Sequence, residues 1–205
     1  SDGEVVAHRR MAPVDVAAVV NWLTRRGLPF YLEANSGLYA SPGFRQAALP
    51  AVRAYVAGKG RADAGAVSVD EVLHGLVETA DLARDDVNKI SYVLSGPADL
   101  EAARAAFPAL AHRSWGGRGH AALFGDKGIA KSRAIDLLLA RIGAELADTV
   151  ALGDAMVDID MLGHCGVGVA MGNASQAVKD VADLVTDDVE DDGLAKALAR
   201  LGLLG

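Results

Sequence analysis

Apolar and polar positions follow two rhythms along the chain, one up to about residue 122 and another after it. Glu4-Val-Val-Ala reads as a short strand. From Pro13 to Arg26, Val16, Val19, Val20 and Leu23 share one face of a helix, with Pro13 suited to its first turn and Gly27 to its C-cap. Phe30-Tyr-Leu-Glu-Ala, Asn35-Ser-Gly and Leu38-Tyr-Ala read as a hairpin. Phe44 to Val56 predicts a helix ending near Gly58-Lys-Gly, and Val69 to Ala80 predicts another, capped by Ser68. Asn88 to Leu94 alternates as a strand, and Asp99 to Phe107 is helical after Pro97. His112 to Trp115 and His120 to Phe124 read as strands. The succession is α+β with several antiparallel pairs.

After residue 122 strands and helices take turns. Ile129 to Ile142 predicts a long helix with Ala134, Ile135, Leu138 and Leu139 facing inward. Thr149-Val-Ala-Leu reads as a buried strand, followed by a helix near Ile159 and a strand from Gly166 to Met171. Ser175 is placed to cap a helix running to Ala182. Leu184-Val-Thr makes a further short strand, and Gly193 to Leu201 a last helix. This βαβα order predicts a parallel sheet. The expected organisation is two units, with the boundary near 120–126.

A chain of 205 residues, 51% hydrophobic and 23% charged, is long and apolar enough for a packed core. A net charge of −7 and a pI near 5.1 argue against nucleic acid or an anionic membrane surface as partner. No apolar run reaches transmembrane length, and no signal peptide is read at the start. The single cysteine, Cys165, cannot close an intramolecular disulfide, which fits a reducing cytoplasm. It reads as a small buried residue rather than a nucleophile. His8, His74, His112, His120 and His164 show no metal-ligand spacing.

The chemistry concentrates in Val150 to Leu162, VALGDAMVDIDML. Gly153 ends an apolar strand and puts Asp154 at its C-terminal end, where open α/β sheets bind ligands. Asp158, four residues on, falls in or near the first turn of the next helix and can face the same crevice. Two carboxylates there suit a hard cation such as Mg²⁺. Taken singly, either aspartate is also explained as a helix cap or a first-turn acid.

Two near-motifs fail on mechanics. Gly125-Asp-Lys-Gly-Ile-Ala-Lys131-Ser132 approaches a Walker A loop, but Ala130 stands where a glycine must let backbone amides surround a phosphate. The glycines of Gly166-Val-Gly-Val-Ala-Met-Gly172 lie within a strand, not in the turn after one, so a dinucleotide loop is not expected. Without a P-loop, Lys131 still offers a point charge near a helix N-terminus, a natural phosphate contact, with Lys127 as the competing candidate. A solvated lysine is the plainer alternative.

The ordered set Lys131-Ser-Arg-Ala, Val150-Ala-Leu-Gly-Asp154, Asp158-Ile, Met161-Leu, Gly168-Val-Ala-Met-Gly-Asn-Ala174, Lys179, Ala182, Val185-Thr186 and Asp192-Gly193 resembles the haloacid dehalogenase superfamily, specifically its Cof-type phosphatases. Gly3-Glu-Val-Val, Gly27-Leu-Pro-Phe and Asn35-Ser-Gly-Leu-Tyr resemble that subfamily's cap more loosely. The resemblance implies an α/β fold, with residues 1–122 as an α/β cap domain of α+β make-up and 123–205 as the C-terminal part of a Rossmann-like, parallel-sheet core. It also implies a Mg²⁺-dependent phosphatase acting on small phosphorylated metabolites. In such enzymes an Asp-x-Asp motif supplies the nucleophile, which forms an aspartyl-phosphate, and the general acid/base. Lys131 would bind phosphate and neutralise charge, and Asp154 and Asp158 would hold Mg²⁺, Asp154 directly and Asp158 through water.

The chain departs from the family pattern at two places. It holds no Asp-x-Asp followed by Gly-Thr ahead of the cap and starts where the cap is expected to start. Val157 stands where Cof-type proteins usually carry an asparagine that contacts phosphate. The expectations are therefore a phosphatase incomplete as this chain, completed by further chain or by a complementing polypeptide, or a catalytically inactive homologue that binds or regulates; the exposed edges of an incomplete sheet also favour a partner or a homodimer. Asn35, Tyr39, Trp115 and Arg118 are candidate substrate contacts in the cap, each also explained by turn chemistry or packing.

Overall fold

The computed structural model describes residues 7–58, 61–113, 119–125 and 130–204. It divides into two compact units, Arg9–Lys127 on the one hand and Gly128–Gly205 with Ser1–His8 on the other. The strand expected at Glu4-Val-Val-Ala falls outside the described residues in all but its last position. Trp115, Arg118 and Lys127 lie outside them too.

In the first unit, α1 (Pro13–Arg25) leads into the hairpin of β1 (Phe30–Ala34) and β2 (Gly37–Ala40). Pro13 opens α1, where a missing N–H costs nothing. At its other end Gly27 takes φ +64, so that its N–H reaches the Thr24 carbonyl and the Leu28 N–H reaches Leu23. This reciprocal closure, with Leu28 packed beside Leu23, is why a glycine stands there. Next come α2 (Phe44–Gly58), α3 (Val69–Val72), β3 (Leu76–Glu78), β4 (Val87–Val93), α4 (Pro97–Ala106), β5 (Ala111–Arg113) and β6 (His120–Phe124). The six strands order as β3-β2-β1-β4-β6-β5, antiparallel except where β2 pairs with β3.

Alternation along β1 sends its side chains to two cores. Phe30 and Leu32 join Val16, Val19 and Leu23 of α1 and Ile90 and Tyr92 of β4. Tyr31 joins Phe44 and Ala48 of α2 and Val69 and Leu76, with its ring edge-on to Phe44 at 5.4 Å. The helix expected from Val69 to Ala80 is corrected. Ser68 does cap it, and Glu71 reaches back to the Ser68 N–H, but the helix stops after one turn. Gly75 then adopts φ +72, and Leu76–Glu78 leaves as a strand that pairs with β2. Pairing outweighed the helical pattern of a segment too short to express a period of two.

In the second unit, α5 (Lys131–Ile142), β7 (Val150–Gly153), α6 (Ile159–Leu162), β8 (Val167–Ala170), α7 (Gln176–Lys179), β9 (Leu184–Val185) and α8 (Gly193–Arg200) alternate. The sheet is β7-β8-β9, parallel throughout, with Val150 opposite Val167 and Ala170 opposite Val185. Its core gathers Ala151, Leu162, Ala170, Ala174 and Val178, with half-buried Cys165 beside them. Gly168 is a packing requirement: a Cβ there would lie 2.2 Å from the Leu162 carbonyl oxygen. Two readings are corrected here. No residue of α5 is fully buried: of the expected inward face Ile135 and Leu139 are half-buried, whereas Ala134 and Leu138, the latter 50% exposed, are open. The helix after Ser175 ends at Lys179, and the Ser175 side chain makes no cap bond; its hydroxyl faces the Met156 sulfur at 3.8 Å.

Candidate active site

Three polar residues meet at the C-terminal end of β7. The strand ends at Gly153, Asp154 follows, and a 3₁₀ turn over Met156–Asp158 leads into α6. That turn swings Asp158 back beneath the strand end. It is buried, one of two buried polar side chains among the described residues. Its Oδ2 accepts the N–H groups of Asp154 at 3.2 Å and Ala155 at 3.0 Å. Its Oδ1 accepts from Lys131 Nζ, the first residue of α5. Two residues on, Asp160 Oδ2 accepts the Ser132 N–H at 3.0 Å, so two aspartates hold the start of α5.

Asp158 remains ionised well into acid. Burial alone would raise its pKa, but the Lys131 hydrogen bond, the Ala155 amide, the Lys131 charge and the Asp154 amide together hold it below its ordinary value. Both of its oxygens are thus engaged by the protein itself. Asp154 is half-buried and presents its carboxylate at the strand end, with Oδ2 accepting from Asn173 Nδ2 at 3.1 Å. Asn173 sits in the turn after β8. It belongs to the Gly168–Ala174 motif, and its place just beyond a second parallel strand, at the C-terminal edge of the sheet, is the signal that points to it.

Oxygen donors of this kind suit Mg²⁺. Among the described residues no three His, Cys, Asp or Glu side chains converge as a complete cation cage. Asp154 and Asp158 could contribute oxygen donors to such a cation, the oxygens of Asp158 being already engaged by Lys131 and by the Asp154 and Ala155 amides. Histidines stand elsewhere: His164 bonds Asp136 at 2.7 Å and His112 bonds the Phe107 carbonyl at 2.9 Å.

In the first unit, two of the proposed substrate contacts are used internally. Asn35 accepts from Asn88 at 2.8 Å, and the Tyr39 ring lies 3.7 Å beneath the Arg84 guanidinium while its hydroxyl bonds Ser36. Arg84 also pairs with Asp86, whose carboxyl is held down to about 2 by hydrogen bonds from Arg84 and Ser36. A groove of about 940 Å³ lies within this unit, lined among others by Val16, Val20, Phe30, Ala47 and Leu82, and contains neither Lys131 nor the two aspartates.

The pattern is shared with known proteins. The family model of haloacid dehalogenase-like hydrolases matches residues 1–198. The putative phosphatase YkrA of Bacillus subtilis is 36% identical over 127 residues, which are 62% of this chain and 49% of YkrA. The chain's match thus spans about half the length of that relative. The 5-amino-6-(5-phospho-D-ribitylamino)uracil phosphatase YcsE of the same organism is 42% identical over 71 residues, 35% of this chain and 28% of YcsE. Among solved structures, a haloacid dehalogenase-like hydrolase from B. subtilis superposes with a TM-score of 0.79 at 22% identity, covering 95% of this chain and 72% of that one. The subclass IIB sugar phosphatase BT4131 gives 0.76 at 22% identity, over 98% and 71%.

Proposed function

Because this chain belongs to the haloacid dehalogenase-like hydrolases, we propose that it serves a Mg²⁺-dependent phosphatase acting on small phosphorylated metabolites. In this reading residues 123–205 are the C-terminal part of the catalytic core and residues 1–122 the cap. The observation that carries it is the joining of Lys131, Asp158 and Asp154 at one strand end. Lys131 offsets negative charge on the phosphoryl group, and Asp158 fixes where that ammonium stands. Asp154 would hold the cation directly and Asp158 through water. Mg²⁺ bound there would supply electrostatic stabilisation of the phosphoryl oxygens.

Attack on phosphorus needs a nucleophile, and residues 1–205 contain no Asp-x-Asp-Gly-Thr sequence. The attacking carboxylate and the general acid therefore come, in this reading, from further chain or a complementing polypeptide. The working environment is cytoplasmic; the net charge of −7 disfavours nucleic acid. Among the described residues no helix is long and apolar enough to cross a membrane.

A second reading, a binding or regulatory module without hydrolysis, is favoured by Val157. Its aliphatic side chain gives a phosphate nothing to bond. Phosphate release from sugar phosphates, nucleotides and pyridoxal phosphate, measured with and without Mg²⁺ on the chain supplemented with an Asp-x-Asp-Gly-Thr-bearing segment, separates the two. Mg²⁺-dependent turnover that Lys131→Met removes supports the phosphatase. Absence of turnover, with Mg²⁺ binding that Asp154→Ala abolishes, supports the module.

A further inference from the structure

We propose that Asn173 is a positioning residue that sets the orientation of the Asp154 carboxylate for cation binding. The inference rests on the reading of Asp154 as the inner cation ligand and goes beyond it by naming what holds that ligand.

The contact is direct: Asn173 Nδ2 donates to Asp154 Oδ2 at 3.1 Å. What gives it orienting power is the backbone beneath Asn173. The Met171 N–H donates to the Gly153 carbonyl at 2.9 Å, tying this turn to the residue before Asp154. The Gly172 N–H donates to the Asp187 carbonyl at 3.0 Å, and the Ala174 N–H closes back onto Met171 at 3.0 Å. Met171 and Ala174, on either side, are buried. Gly172 is pressed so closely against the next loop that a Cβ on it would lie 2.6 Å from the Asp188 nitrogen. Asn173 thus projects from a turn gripped on both sides, and its short side chain has two torsions to fix.

The chemistry selects an amide. Asn173 carries no charge, so it orients Asp154 without competing with a cation for it. A lysine or arginine there would add positive charge beside the metal. An aspartate would set a second carboxylate about 3 Å from the first, and like charges at that distance disfavour one another's ionisation. Groups that hold a metal ligand in this manner typically change metal affinity about 10- to 100-fold when removed.

The test uses the 205-residue chain and Mn²⁺ alone as probe, by calorimetric titration. The expected result is that Asn173→Ala weakens Mn²⁺ binding about 10-fold or more while leaving the metal-free unfolding midpoint unchanged, since the side chain is exposed. Equal affinity in wild type and variant overturns the inference. A wild type that binds no Mn²⁺ overturns the reading of Asp154 instead. The side-chain amide signal of Asn173 in a ¹⁵N correlation spectrum then decides the inference without metal. It should move toward free-amide values in Asp154→Ala, and an unmoved signal overturns it.

Discussion

The Asp158 side chain occupies the space that a side chain on Gly153 would need: a Cβ built on Gly153 would fall 2.5 Å from the Asp158 Cβ and 2.9 Å from its Oδ2. The glycine that ends β7 is therefore not only a turn residue. It vacates the spot from which one carboxylate reaches both strand-end amides and Lys131. Gly153→Ala should force Asp158 out, at a cost typical of overpacking, about 1–3 kcal/mol. Thermal unfolding of the variant reads the loss. An unchanged midpoint would show that Asp158 relocates without penalty.

Asp158 also makes stability depend on acid. Its folded-state pKa lies below its unfolded one, so its contribution is fully present above the unfolded value, about 4. That contribution disappears as pH falls through the lower, folded value. Denaturant unfolding followed downward from pH 5 should show this loss in the wild type. In Asp158→Asn the same limb should flatten, because the residue no longer titrates. Lys131→Met should shift the limb toward higher pH, since the ammonium is the largest of the influences that lower the pKa. A profile identical in all three proteins would remove Asp158 from the account.

How much of this was legible beforehand depended on whether the sequence carried a local signal. Gly27 and Pro13 bracket α1 because each has a conformational or bonding reason to sit there, and the helix ends where they say. The order of strands and helices from residue 131 onward was legible because parallel strands are written as short apolar runs between helices. The Lys131–Asp158 ion pair was not, because its partners lie 27 residues apart and nothing local joins them. Residues 69–80 failed for a related reason. Ser68 announces a helix start, but β2 decides what Leu76–Glu78 becomes. The apolar positions of α5 were legible as a stripe; what lies against a stripe is not written within it.

That stripe yields a contrast between two leucines. Leu162 is 1% exposed in the core under the sheet, whereas Leu138 on α5 is 50% exposed. Leu162→Ala should cost about 2–5 kcal/mol. Leu138→Gln should stay within about 0.5 kcal/mol, as for surface positions generally. Urea midpoints of the two variants in the 205-residue chain check this. A large loss at Leu138 would mean that the α5 stripe is covered in solution.

A helix whose apolar side chains are at most half-buried, as Ile135 and Leu139 are, loses less apolar area on opening than the sheet core does. The described side-chain ties of α5 to its own unit are polar: Lys131 to Asp158, the Ser132 amide to Asp160, and Asp136 to His164. Its opening is therefore expected to follow a local equilibrium shallower than that of the β7-β8-β9 sheet. Since Lys131 is its first residue, the ammonium is present beside Asp158 only in the fraction of molecules whose α5 is wound. Any ligand that needs that ammonium would draw the helix shut by mass action, and its apparent affinity would carry the cost of winding one helix.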